Sequence, residues 1–268
     1  MAAVVTSDGV TLHVTDEGRG EVVMLIAGYT APATSWVFQV EALTAAGFRV
    51  VCLDRRSHGR SEAPDFGQRI ARHAADIHDV LVALDLDGVA VVGGSMGASA
   101  TWSYVDLFGD ARLRGIVSVD QTPKMVNTPD WPYGFYGLID ANVGTFFAEG
   151  IPPTGRGLPP DKAAVGMTRL ADRLGGDGGW RREIRPETLP LLRDHAIQDW
   201  RDVIERVSTP VLMVAGRDSQ FWPCEHAALA VEKTAEGRAV VIDDCGHAAN
   251  IDRPEEFNAL MIEFLRSL

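Results

Sequence analysis

The chain has 268 residues, 46% of them hydrophobic and 23% charged, with a formal net charge of -12. That length and apolar content can bury a substantial core without disulfides and exclude a largely disordered chain. The acidic balance opposes binding to nucleic acid or an anionic membrane surface, since either polyanion is repelled, and no stretch reaches the roughly eighteen apolar residues of a membrane span.

The expected elements alternate along the chain. Thr11 to Val14 alternates as an early strand, and Val22 to Ala27 is a continuous apolar run of the kind buried on both faces. A helical pattern from Trp36 to Ala46 leads to a strand at Arg49 to Asp54, and a second from Ile70 to Leu86 leads to a strand at Val89 to Val92. A helix from Ala98 to Phe108 precedes a strand at Gly115 to Asp120. Late in the chain, strands at Pro210 to Ala215 and Arg238 to Ile242 alternate with helices at Glu225 to Thr234 and Pro254 to Leu265. Strands that alternate with amphipathic helices predict an α/β fold: a parallel sheet covered on both faces.

From Gln121 to about Asp194 this rhythm breaks. The segment holds seven prolines from Pro123 to Pro160, a glycine-rich stretch near Gly175, and the aromatics Trp131, Tyr133, Phe135, Tyr136, Phe146, Phe147 and Trp180. So long an insertion between two sheet strands reads as a cap over an apolar pocket. The expected organisation is a core of residues 1–120 and 196–268 with a cap at 121–195.

Cys52, Cys224 and Cys245 are widely spaced, with no CxxC pair and no metal-ligand spacing. They read as free thiols in a reducing compartment, and no metal site is expected. The amino terminus lacks a basic stretch followed by an apolar one, so a cytoplasmic location is expected.

The chemistry begins at Gly93-Gly94-Ser95-Met96-Gly97, where an apolar strand breaks and resumes as a helix. In a Gly-x-Ser-x-Gly elbow the serine sits in a tight strand-to-helix turn that only glycine neighbours can accommodate, which exposes its hydroxyl at the carboxyl end of a sheet. The same turn places the Met96 N–H at a helix start, where unpaired amides and the helix dipole favour an oxyanion.

With Ala27-Gly28-Tyr29, Asp54-Arg55-Arg56-Ser57-His58-Gly59-Arg60-Ser61, the elbow, and Asp244-Cys245-Gly246-His247 in this order, the chain resembles the α/β-hydrolase superfamily nearly end to end. The resemblance implies a mostly parallel eight-stranded sheet, Ser95 as nucleophile, His247 as its general base, and backbone amides of Tyr29 and Met96 as the oxyanion hole. Two departures stand out. Ala27 occupies the place of the histidine that usually precedes the loop glycine, which leaves open how that loop is anchored. The usual acid slot, in Gly216-Arg217-Asp218-Ser219-Gln220-Phe221-Trp222-Pro223, is filled by Ser219.

Asp218 lies one residue too early, and a one-residue shift at a strand end points a side chain to the opposite side. Asp120, at the end of the strand after the elbow, is favoured as the acid, because a carboxylate need only accept the imidazole N–H and can approach from either neighbouring strand. Asp218 remains the alternative. His58 is expected to be structural, and His73, His78, His195 and His226 to lie on solvated helix faces or in the cap. Trp131, Tyr133 and Trp222 are the expected substrate-binding aromatics.

These residues together predict a cofactor-independent serine hydrolase acting on a small ester, lactone or thioester with an apolar acyl or aromatic group. The stretch Pro123 to Thr128 is similar to arylesterases and perhydrolases once called non-heme haloperoxidases. The alternatives are a cofactor-free oxygenase using a His-Asp dyad, as in ring-cleaving dioxygenases of the superfamily, and a non-catalytic ligand-binding member of the fold.

Overall fold

A computed structural model describes residues 2–176 and 184–268; Trp180 and the end of the glycine-rich stretch lie outside the described residues. The apolar runs become the centre of one sheet. β3 (Val22–Ile26), β4 (Arg49–Leu53), β5 (Val89–Gly94), β6 (Leu113–Val119) and β7 (Val211–Gly216) are buried along almost their whole lengths. β1 (Ala2–Val5) and β2 (Thr11–Gly18) close one edge and β8 (Gly237–Ile242) the other, giving eight strands in the order β1-β2-β4-β3-β5-β6-β7-β8. β1 with β2 and β2 with β4 pair antiparallel, and every other neighbour pair is parallel. The sequence pattern omits β1 because only Val4 of its four residues is buried, and a short edge strand has no apolar run to reveal it.

Each central strand feeds two cores, because successive side chains point to opposite faces. Met24, Ile26, Val51, Leu53, Val89 and Val91 pack beneath α2 (Ile70–Ala83) and α3 (Met96–Phe108). Val23, Leu25, Val50, Cys52, Ala90 and Val92 pack beneath α1 (Val37–Ala45) and α9 (Pro254–Arg266). The three cysteines are buried free thiols.

Between β6 and β7 the chain forms α4 (Pro160–Arg173), α5 (Leu189–Ala196) and α6 (Arg201–Arg206). α4 is seated against α8 (Ala249–Asp252) through Gly166, where a Cβ would stand 2.9 Å from the Asp252 carboxylate and 3.0 Å from the Ile251 carbonyl. After β7 the helix is shorter than the pattern implies: α7 covers only His226–Ala230, and the chain turns at once, with Thr234 N–H donating to Val231 O. Because the sheet order reverses around β3, the loops that follow β3, β5, β6 and β7 converge at one carboxyl edge, the position where open α/β sheets bind ligands. No helix among the described residues is long and apolar enough to cross a membrane.

Candidate active site

Ser95 stands where β5 ends and α3 begins, with φ 51° and ψ -126°. Such a backbone costs about 1–3 kcal/mol in a residue with a side chain and persists only where its surroundings over-determine it. Here they do. A Cβ on Gly93 would lie 2.6 Å from Ala98 N and one on Gly97 2.3 Å from Ile26 O, so neither position can carry a side chain. Ser95 N–H donates to Val119 O (2.9 Å), tying the elbow to β6.

The loop after β3 lies against the serine. A Cβ on Gly28 would be 2.9 Å from Ser95 Cβ, so the Gly28–Tyr29 peptide lies alongside it. Thr188 Oγ1 donates to Arg185 O (2.8 Å), which leaves the Tyr29 hydroxyl to donate to Thr188 Oγ1 (2.7 Å). Burial raises the Tyr29 phenol above its ordinary value.

Ser95 and His247 line the same cavity, of about 600 Å³. Its walls are mainly apolar, from Ala27, Trp36, Val119, Ile151, Pro152 and Ile251, with Arg156, Gln220 and Asn250 as polar points. A second cavity, of about 20 Å³, adjoins Ser95 and Met96 on another side and is lined by Phe135, Phe147, Leu192, His195, Phe221 and Trp222 among others.

Asp120, buried and at φ 43°, faces the histidine. Its Oδ2 is 2.7 Å from His247 Nδ1 and also accepts the Ser219 hydroxyl at 2.6 Å, while Oδ1 accepts Gly216 N–H at 3.0 Å. His226 Nε2 lies 3.9 Å from Oδ1, too long for a hydrogen bond. Burial alone would raise the Asp120 carboxyl; the imidazoles of His226 and His247 outweigh it and hold the group below its ordinary value of 3.8. An ionised Asp120 accepting from Nδ1 leaves Nε2 of His247 as the proton acceptor. The His247 N–H donates to Gln220 Oε1 (3.2 Å), and the rings of Phe221 and Trp222 stand edge-on to the imidazole at 4.5 and 5.3 Å.

The other sequence candidates divide. Trp222 lines the smaller cavity. Trp131 and Tyr133 lie elsewhere: Trp131 Nε1 donates to Lys124 O and Thr122 Oγ1, its ring packs edge-on to Tyr133 at 5.4 Å, and Arg201 covers it at 5.6 Å. Neither residue is among those lining the two cavities at Ser95. Asp218 is half-buried, and its backbone N–H donates to Cys245 O. Among the described residues no cluster of His, Cys, Asp or Glu could hold a metal ion.

A family model described as Alpha/beta hydrolase family matches residues 23–260. The chain belongs to that family. A non-heme chloroperoxidase of Streptomyces lividans is 28% identical over the full length of both chains. Among solved structures, a bromoperoxidase from Bacillus anthracis superposes with a TM-score of 0.79 at 26% identity, covering 98% of each chain. An esterase from Exiguobacterium antarcticum does so with 0.80 at 22% identity over 99% of each chain; at that identity the likeness establishes the fold.

Within this alpha/beta hydrolase, three buried polar residues near the site escape the sequence reading. His73 and His226 were expected on solvated helix faces and are instead fully buried: His73 packs behind the loop after β3, against Arg55, and His226 behind Asp120, edge-on to Trp222 at 6.1 Å. Helical spacing alone does not say which polar residue of a face turns inward. Ser219 was legible as the occupant of the acid slot but not as a donor to Asp120, because the two are 99 positions apart. His58 is structural as expected, buried with Nδ1 donating to Arg56 O (2.8 Å). The turn that carries it is held by Asp54, whose carboxylate accepts the N–H groups of Ala33 and Arg60.

Proposed function

We propose that this protein is a serine hydrolase that needs no cofactor and cleaves a small ester, lactone or thioester with an apolar acyl group. Ser95 Oγ attacks the carbonyl carbon while His247 Nε2 takes its proton, and Asp120 holds the imidazole in the required tautomer and stabilises the imidazolium. The tetrahedral oxyanion is received by the N–H groups of Tyr29 and Met96. His247 returns its proton to the leaving alkoxide or thiolate; water, deprotonated by the same imidazole, then hydrolyses the acyl-enzyme.

The observation that carries this reading is the 2.7 Å contact of His247 Nδ1 with a buried, ionised Asp120, on a cavity that Ser95 also lines. The haloperoxidase relatives agree with the resemblance to esterases and perhydrolases of that group. Residues 121–195 form the cap in this proposal, with the core at 1–120 and 196–268. Ile151 and Pro152 of the cap wall the larger cavity, and the substrate is a small molecule that fills this mainly apolar space.

A fluorophosphonate probe tests the reading. Wild-type protein is expected to be labelled, and Ser95→Ala, if folded, to remain unlabelled and lose essentially all esterase turnover. No labelling of folded wild type sinks the hydrolase, and oxygen uptake with an aromatic enol would then favour the dyad oxygenase.

A further inference from the structure

Arg55 lies on the turn after β4, fully behind the loop that presents Tyr29. All five of its N–H donors are used. Nε donates to Ala27 O (2.9 Å) and Nη2 to Gly28 O (2.7 Å) and His58 Nε2 (3.0 Å). Nη1 donates to His73 Nδ1 (3.1 Å) and Met96 Sδ (3.5 Å). Every one of these acceptors is neutral, and no carboxylate pairs with the guanidinium among the described residues. A buried cation without a counter-ion is costly, so its retention asks for a use.

Two consequences follow from its position. In a trans peptide the C=O and the following N–H point in opposite directions, and the described chain has no cis bonds. Holding the Gly28 carbonyl on the guanidinium therefore turns the Tyr29 N–H the other way, away from Arg55, in a loop that lies against Ser95. Ala27 has no polar side chain with which the loop could be tied from within. The positive charge, with no carboxylate in contact, also acts at short range through a medium of low dielectric. Its reach is visible in its neighbours: the imidazoles of His58, His73 and His195 are held well below their ordinary range, by burial first and by Arg55 second.

We infer that Arg55 is a positioning residue for the oxyanion hole, fixing the orientation of the Tyr29 N–H and supplying an unneutralised positive charge behind the developing oxyanion. The inference rests on the hydrolase reading above. It accounts for a buried cation that no carboxylate contacts: Asp76 acts on it only through space, and the anion that would meet it most directly forms only with the tetrahedral intermediate, the condition under which binding energy accelerates the chemical step.

The test compares wild type with Arg55→Met and Arg55→Lys, using p-nitrophenyl acetate, an aryl trifluoromethyl ketone that forms an anionic adduct with serine, and the matching neutral carbinol. In Arg55→Met, kcat is expected to fall about 10²–10³-fold with KM nearly unchanged, the loss typical of one oxyanion donor. Affinity for the ketone should fall by a similar factor while affinity for the carbinol stays within about twofold. Arg55→Lys, which keeps the charge but not the planar fork, should lie between, and it carries the test if the methionine variant does not fold. Equal weakening of ketone and carbinol, or an unchanged kcat in a folded variant, overturns the role of Arg55. Folded wild type that no fluorophosphonate labels overturns the hydrolase reading and this one with it, which distinguishes the two failures.

Discussion

The ends of β6 and β7 lie side by side at the carboxyl edge of the sheet, and each offers an oxygen-bearing side chain to the same point. β6 is followed at once by Asp120, buried and at positive φ, which contacts His247 directly. β7 ends in Gly216 and is followed by Ser219, which occupies the usual acid position; both act as donors to Asp120. In the proposed triad the acid and the group that supports it have exchanged strands. If His247 acts as proposed, the contrast teaches that such a base needs an oriented, ionised acceptor but does not need it to come from one strand. A carboxylate has four lone-pair sites, and here they serve the imidazole, the Ser219 hydroxyl and the Gly216 amide at once.

The largest expected effect on this comparison comes from Asp120→Asn, which should lower kcat by about 10⁴-fold with the fold intact, as loss of the correct tautomer does in other triads. Steady-state kinetics and circular dichroism check it; retention of more than about a tenth of kcat would assign the acid elsewhere. Next is the exchange itself. Adding Ser219→Asp to an Asp120→Ser background should recover about 10²-fold of that loss, because it returns a carboxylate to the imidazole from β7. No recovery in a folded double variant would mean that the β6 geometry, and not merely a carboxylate, is required.

Ser219→Ala removes one charge-assisted hydrogen bond, a loss of about 1.5–3 kcal/mol where it is felt in full, and kcat should fall about tenfold. An unchanged kcat would reduce Ser219 to a filler of its slot. A pH series sharpens the same contrast. Asp120 has a folded value depressed below its ordinary 3.8, so its contribution to stability is fully present above that value and is lost as pH falls through the lower folded value. Chemical denaturation should therefore find the stability gap between wild type and Asp120→Asn narrowing from pH 5 to pH 3; a constant gap contradicts a depressed Asp120 carboxyl. The smallest effect is expected from Asp218→Asn, within about twofold of wild-type kcat. A larger loss there would revive the acid nearest the usual slot.

Legibility in the sequence followed physical range. Periodic apolar runs exposed every central strand and the long helices outside the inserted segment, because burial on two faces leaves an unbroken run and burial on one leaves a helical stripe; α4, inside that segment, went unread. Edge strand β1 and the short helix α6 left no such trace. The elbow was legible because its glycines answer to contacts within five residues and the strand beside them. The expected pocket aromatics fared unevenly. Trp222 stands near the acid slot and lines the smaller cavity, whereas Trp131 and Tyr133, marked in the sequence only by lying in the inserted segment, pack away from both cavities. Aromatic content says that something apolar is covered, not which ring covers it.

By itself, then, the sequence determined the family, the alternation of strands and helices, the strained serine and the vacancy of the usual acid slot, all of them properties of local pattern and chain order. Only the tertiary structure decided that Ser219 donates to Asp120, that His226 stands behind that carboxylate, and that Arg55 rather than a loop histidine grips the carbonyls beside Tyr29. The reason is the same in each case. These are contacts between segments that follow different strands, set by the order in which the sheet assembles, and residues 27 to 106 positions apart have no common period through which one could announce the other.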